Sequence, residues 1–211
     1  MMKRTLRWTL ILALVATLSP LALAADAYAG YTRVNITTIG EVPLWNDITA
    51  AISNAKGPTY ITINQDVLLA NDRYSLYVVG GKDIVIDMKG HYFQSMSNWR
   101  RTSTRGVFFV ESGAKVTLIN GGIRRINYNS QNQAIRNYGE MTLENWVIDD
   151  IISHCDGAAI QNGGTMTIRG GKITNCHSDY LNDKMVYSGG AVYNTAGGTL
   201  TTPSTTRPGA R

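Results

Sequence analysis

Lys115-Val116-Thr117-Leu118, Glu140-Met141-Thr142-Leu143 and Thr165-Met166-Thr167-Ile168 repeat one pattern, and Val116, Met141 and Met166 follow one another at an identical step. Six residues before each lies an aliphatic residue (Val110, Ile135, Ile160), and seven after each lies an isoleucine (Ile123, Ile148, Ile173). A fixed period of this length marks a solenoid. The apolar residues alternate with Thr and Lys at period two, so the unit is built of strands, not helices. Extending the pattern gives anchors at Ile61, Ile84, Val116, Met141, Met166 and Leu200, with steps of 23, 32, 25, 25 and 34. The short steps suit a coil of three short strands and three turns. The long ones carry polar insertions, Ser95–Arg105 and Ser178–Gly189, expected as surface loops. The expected fold is all-β: a parallel β-solenoid of about six coils over residues 61–201, each strand pairing in parallel with its equivalents above and below.

Side-chain columns support this. Ile126, Ile151 and Cys176 each follow the isoleucine column by three residues. Ser112, Asn137, Asn162 and Asn194 each follow the first-strand anchor by two. Asparagine at a strand-ending turn bonds its own backbone and tolerates left-handed conformations, and stacked asparagines can bond one another. Gly-Gly pairs at 121–122, 163–164, 170–171, 189–190 and 197–198 are expected to supply positive-φ corners.

Before the repeat, residues 25–60 read differently. Tyr31–Ile39 reads as a strand. Leu44, Ile48, Ala51, Ile52 and Ala55 follow a helical spacing, with Asn46 or Asp47 as N-cap and Gly57-Pro58 as the stop. Such a helix would cover the apolar interior and strand edges at the open end of the first coil. Residues 1–24 carry Lys3, Arg4 and Arg7, then an apolar run from Trp8 to Leu18, then Ala22-Leu23-Ala24. That is the pattern of a secretory signal peptide cut after Ala24, too short to span a membrane. Its removal lowers the formal charge from +5 to near +2, because three basic residues and no acidic one leave. No basic stripe with interleaved aromatics points to nucleic acid. In an exported chain Cys155 and Cys176 are either bridged or two buried thiols. Residues 202–211, rich in Thr and Pro, are expected to be a disordered tail without a cap. A Thr/Pro stalk, a fragment of a longer product and a broken reading frame all fit it, and truncation of a larger protein is the preferred reading. The open end is then expected to self-associate.

The Trp-bearing helix, Ile61–Val67 and Gly81-Lys82-Asp83-Ile84-Val85-Ile86-Asp87-Met88-Lys89-Gly90-His91 resemble the opening of secreted right-handed β-helix proteins of the pectin-lyase-like superfold. Gly157-Ala158-Ala159-Ile160-Gln161-Asn162 and Gly189-Gly190-Ala191-Val192-Tyr193-Asn194 resemble repeats of adhesin-like and polymorphic-outer-membrane-type surface proteins. The resemblance implies a secreted or cell-surface module with carbohydrate or cell-surface ligands and no membrane span in the mature chain. It implies, as the alternative, a polysaccharide lyase or glycoside hydrolase. The fold itself carries both.

A lyase of this kind needs clustered acidic calcium ligands and a basic residue; a hydrolase needs carboxylates on a shared surface. The nearest candidates are Asp149, Asp150, His154 and Asp156, with turn roles between strands as the competing reading. No Gly-His-Gly or Arg-x-Lys accompanies them. His91, His154 and His177 lack zinc-type spacing, and no cofactor motif occurs. Calcium enters only with the lyase alternative. Tyr31, Tyr60, Tyr74, Tyr77, Tyr92 and Trp99 offer either a sugar-binding strip or packing.

Overall fold

The computed structural model describes residues 27–69, 75–95, 100–101, 106–128, 133–178 and 190–202. The expected signal peptide, most of both polar insertions, Tyr74, Trp99 and nearly all of the C-terminal tail lie outside the described residues. The chain divides into two units, Met1–Gly30 and Tyr31–Arg211. In the first, residues 27–30 form a turn. The second is the solenoid.

Its elements run β1 (Thr32–Ile36), α1 (Glu41–Asn54), β2 (Thr59–Ile63), β3 (Val67–Leu68), β4 (Leu76–Val78), β5 (Asp83–Asp87), β6 (Tyr92–Gln94), β7 (Arg100–Arg101), β8 (Phe108–Val110), β9 (Lys115–Tyr128), β10 (Ile135–Asn137), β11 (Glu140–Ser153), β12 (Ile160–Asn162), β13 (Thr165–Ser178), β14 (Val192–Asn194) and β15 (Thr199–Thr201). All pairings are parallel. One sheet runs β1-β2-β5-β9-β11-β13-β15, with β3, β6 and β7 alongside; the other runs β14-β12-β10-β8-β4. The result is a parallel β-solenoid of about five turns, one fewer than expected. The larger sheet nonetheless begins a rung earlier than the anchors imply, because β1 pairs with β2.

The constant step holds along the middle coils, where Val116, Met141 and Met166 are register partners and Leu200 follows. Two anchors are displaced by two positions. Ile84 pairs with Thr59, not Ile61, and Ile135 pairs with Phe108, not Val110. A slip of two keeps every side chain on its own face, so alternation alone does not reveal it. The corner lengths absorb the difference. Four residues separate Val110 from Lys115, but only Tyr138-Gly139 separates Asn137 from Glu140. Val110, and not Ser112, therefore occupies the asparagine column.

Strands β9, β11 and β13 each turn two corners without breaking the ladder. The bends fall at Asn120/Asn145/Gly170 and at Arg125/Asp150/Asn175, every one at positive φ. Register skips these residues and resumes beyond them. Asn and Asp reach the left-handed region at low cost, which explains most of the set. Of the Gly-Gly pairs, only 170–171 has positive φ among the described residues. Gly121 serves a different need: a Cβ there would stand 2.3 Å from Met88 Cβ.

Inside, Ile84/Val116/Met141/Met166, Ile86/Leu118/Leu143 and Phe93/Ile123/Ile148 stack as buried columns. Trp146 fills the interior beside Phe108 (centroids 6.5 Å apart, 79° between planes), which meets Phe93 edge-on at 5.2 Å. Ile148 is 0 % exposed, whereas Ile173, expected to match it, is half-buried. The reason is that β15 stops at Thr201, so among the described residues the later part of β13 has no rung on its far side.

The cap is as expected in place and function. Helix α1 packs on β1, β2, β3 and β4, burying Leu44, Trp45, Ile48 and Ile52 against the first coil. It starts earlier than predicted. Gly40 is the N-cap and no side chain caps it, so Asn46 and Asp47 lie inside the helix. Asp47 accepts instead from the Thr38 hydroxyl. Among the described residues no helix is long and apolar enough to cross a membrane.

Candidate functional site

The outer face of the solenoid gathers its ionisable groups along β3, β6, β9 and β11. Gln94, Arg124, Asp149 and Thr174 are register partners on successive coils, as are Tyr92, Gly122, Val147 and Lys172. Asp66, in the turn before β3, reaches two coils along. Its Oδ1 accepts from the Tyr92 backbone N–H at 2.9 Å and lies 3.4 Å from His91 Nδ1. Its Oδ2 accepts from Gln94 Nε2 at 2.9 Å and from Arg124 Nη2 at 3.3 Å. Arg124 Nε donates to Gln94 Oε1 at 2.8 Å, and the guanidinium lies 4.2 Å over the Tyr92 ring. Gly122 makes the stack possible, since a Cβ there would meet Tyr92 Cε1 at 2.8 Å. The Asp66, His91 and Arg124 side chains are each about one-third exposed, which places the cluster within reach of a ligand.

Asp149 sits next to Arg124 in register yet turns the other way. Its Oδ1 accepts from Thr174 Oγ1 at 2.7 Å and Asn175 Nδ2 at 2.9 Å. The Thr174 bond, then the Asn175 bond, Lys172 and the Asp150 N–H, hold its carboxyl below the usual range against partial desolvation. Asp150 is an exposed corner residue at φ 57°, equivalent to Arg125 and Asn175. His154 and Asp156 lie half-buried in the 154–159 loop leading to β12. The Asp156 carbonyl accepts from Gln133 Nε2 at 2.9 Å, and Gln133 Oε1 accepts twice from Arg136. Cys155 and Cys176 are both free. Burial raises both thiols, Cys176 to about 11, so neither is a nucleophile near neutral pH.

Among the described residues, the aromatic candidates do not form one strip. Tyr31 and Tyr60 bond Asp83 and Asp87 on the larger sheet, Tyr92 lies under Arg124, and Tyr77 stacks on Phe109 on the smaller sheet at 5.0 Å. Among the described residues no three His, Cys, Asp or Glu side chains gather as a metal site.

Asp66, Gln94 and Arg124 were missed from sequence, and His91 was weighed there only as a zinc ligand. One signal for them was available: Arg124 and Asp149 stand one full period apart and so share a column. Asp66 gave none, because its reach depends on the length of the turn that precedes β3.

Cross-coil bonding extends to the other carboxylates of the face. Asp87 accepts from Tyr60 Oη at 2.7 Å and pairs with Lys89 at 2.6 Å. Burial, then the Asp87 carboxylate, pushes the Tyr60 phenol far above its ordinary range. Asp83 holds Tyr31, Glu144 holds Arg169 at 3.0 Å, and Glu111 holds Tyr77 and the Gly80 N–H. Apart from the local Asp87–Lys89 pair, each of these contacts ties one coil to another. Searches against protein-family models, curated proteins and solved structures returned no match for this chain.

Proposed function

We propose that this chain is an exported, cell-surface β-solenoid module, adhesin-like or structural, which recognises a ligand and does not convert it. The observation that carries this reading is the use made of the carboxylates. Asp66, Asp83, Asp87, Glu111, Glu144 and Asp149 are all engaged as staples between coils. Acid–base catalysis needs a carboxyl group poised to gain and lose a proton, and the Asp149 carboxyl is pushed the opposite way. Export is supported by the charged start, the apolar run and Ala22-Leu23-Ala24 near the N-terminus.

The alternative, a polysaccharide lyase or glycoside hydrolase of the pectin-lyase-like superfold, is favoured by one feature: Asp66, His91 and Arg124 converge on a single face with Asp149 beside them. A calcium-dependent version would have to displace the partners that Asp66 already has. Asp66 is filled by Tyr92, Gln94 and Arg124, and no third ligand joins it among the described residues. Incubation of the purified chain with pectin, alginate and xylan, with and without calcium, separates the two readings. The surface reading expects no product. Product release that disappears in Arg124→Ala or His91→Ala, with circular dichroism unchanged, would establish the enzyme instead.

A further inference from the structure

One carboxylate on a strand breaks the stapling pattern. Asp83, Lys115, Glu140, Thr165 and Thr199 are register partners in a single outward column. Lys115 Nζ leans toward Asp83, 3.9 Å away, and no ion pair joins it to Glu140. Apart from the corner residue Asp150, Glu140 is the strand carboxylate that bonds no other side chain among the described residues. It lies on the wall of a cleft of about 340 Å³ that runs over the corner across three coils. Tyr138, Lys115 and Thr165 share that wall, and Gly139 and Gly164 belong to the same lining. The volume falls at the lower end of ordinary small-ligand sites, enough for one sugar ring with part of a neighbour.

The corner beneath is fixed from inside. Asn137 Nδ2 donates to Gly139 O at 3.3 Å and to Asn162 Oδ1 at 2.7 Å, and its Oδ1 accepts from the Gly139 N–H at 3.1 Å. Asn162 Nδ2 donates to Gly164 O at 3.2 Å and to Asn194 Oδ1 at 2.7 Å. The asparagine ladder thus holds the lining glycines at constant spacing, and ligand groups would meet a preorganised surface. Tyr138 is 40 % exposed and tilts against Phe109 with ring centroids 5.6 Å apart, so it ends the run of rings that Tyr77 and Phe109 begin, and on the next coil its place is taken by Gly163, which lies against its ring.

We propose that this cleft binds a single pyranose unit of a glycan, one that donates hydrogen bonds: a neutral hexose or a 2-amino sugar. The Glu140 carboxylate accepts from paired hydroxyls or an ammonium, Thr165 and Lys115 complete the polar contacts, and the exposed part of the Tyr138 ring, left open between Phe109 and Gly163, meets the sugar's C–H groups. The same carboxylate repels uronates, so the cleft is complementary in charge to ligands other than acidic polysaccharides. The inference rests on the surface-module reading for its biological setting only.

The test is amide NMR and calorimetry on the purified chain with three probes: cellotetraose, a glucosamine tetramer and tetragalacturonate. Binding of the first or second, with shifts at the Gly139, Gly164 and Thr165 amides, is expected, and tetragalacturonate should leave those amides still. Which of the two binds identifies the source. Glu140→Gln should weaken binding at least tenfold, and so should Tyr138→Ala, with the remaining amide spectrum unchanged; Thr165→Val provides a second variant should Tyr138→Ala misfold. Silence of those amides toward both probes, or affinity unaltered by Glu140→Gln, would overturn the proposal. Turnover of pectin at Arg124 would sink the surface reading and leave this cleft standing, whereas silent amides without turnover would sink the cleft alone.

Discussion

At the residue scale, the molecule spends its polar side chains on holding neighbouring coils together. Asn162 is 0 % exposed, and its amide donates to Asn194 Oδ1, Gly164 O and Thr199 O while its carbonyl accepts from Asn137. Asn162→Ala leaves several of these groups without partners, so the expected loss is about 2–3 kcal/mol in chemical denaturation. Ile148→Asp should abolish folding altogether, because it places a carboxylate at 0 % exposure in an apolar column. Equal damage from the two would show that the ladder does more than the core. Asp149 offers a pH test. Its folded pKa is depressed, so its contribution is present above the ordinary carboxyl pKa of about 3.9 and is lost as pH falls through the folded value. A carboxyl NMR titration should place its midpoint below the ordinary value, and Thr174→Val should raise that midpoint. A wild-type midpoint at or above the ordinary value would remove Asp149 from the staples.

At the element scale, α1 decides whether the N-terminal end is sealed. Ile48 is 0 % exposed between the helix and the first coil, and Leu44, Trp45 and Ile52 flank it. Ile48→Asp should detach the helix, uncover Ile61 and Ile63, and raise binding of a hydrophobic dye with concentration-dependent association. Tight, monomeric behaviour of that variant would mean that the first coil closes without its helix. The existence of this helix was legible from the spacing of Leu44, Ile48 and Ile52, because that face is apolar every third or fourth residue. Its start was not, since Gly40 caps it without a side-chain bond and so leaves no Ser, Thr, Asp or Asn signal. The middle strands were legible for the same reason: three copies at an identical step fix register by themselves. The Ile61 and Val110 anchors failed because period-two alternation is blind to a slip of two, and only corner length distinguishes Ile84 opposite Thr59 from Ile84 opposite Ile61. The left-handed bends were hidden too. Arg125 adopts φ 56° in a position that composition would assign to Gly or Asn.

At the scale of the whole molecule, the period, the columns and the cross-coil bonds all rest on one proposition, that equivalent residues lie directly above one another. The candidate face depends on it equally, since Arg124 and Asp149 become neighbours only in that register. Surface recognition by such a scaffold would come from groups the stacking leaves spare, Glu140 foremost among those on the strands. The most direct measurement is cross-coil disulfide formation, made with Cys155 and Cys176 replaced by Ser and Ala. Thr142 and Thr167 are register partners on β11 and β13, and neighbouring strands place such Cα atoms about 4.8 Å apart, inside the disulfide range of about 4.4–6.8 Å. Thr142→Cys with Thr167→Cys should therefore oxidise readily without loss of native structure, while Thr142→Cys with Arg169→Cys, two residues further along the neighbouring strand, should remain reduced. Oxidation of the second pair and not the first would place the coils in a different register and contradict the account.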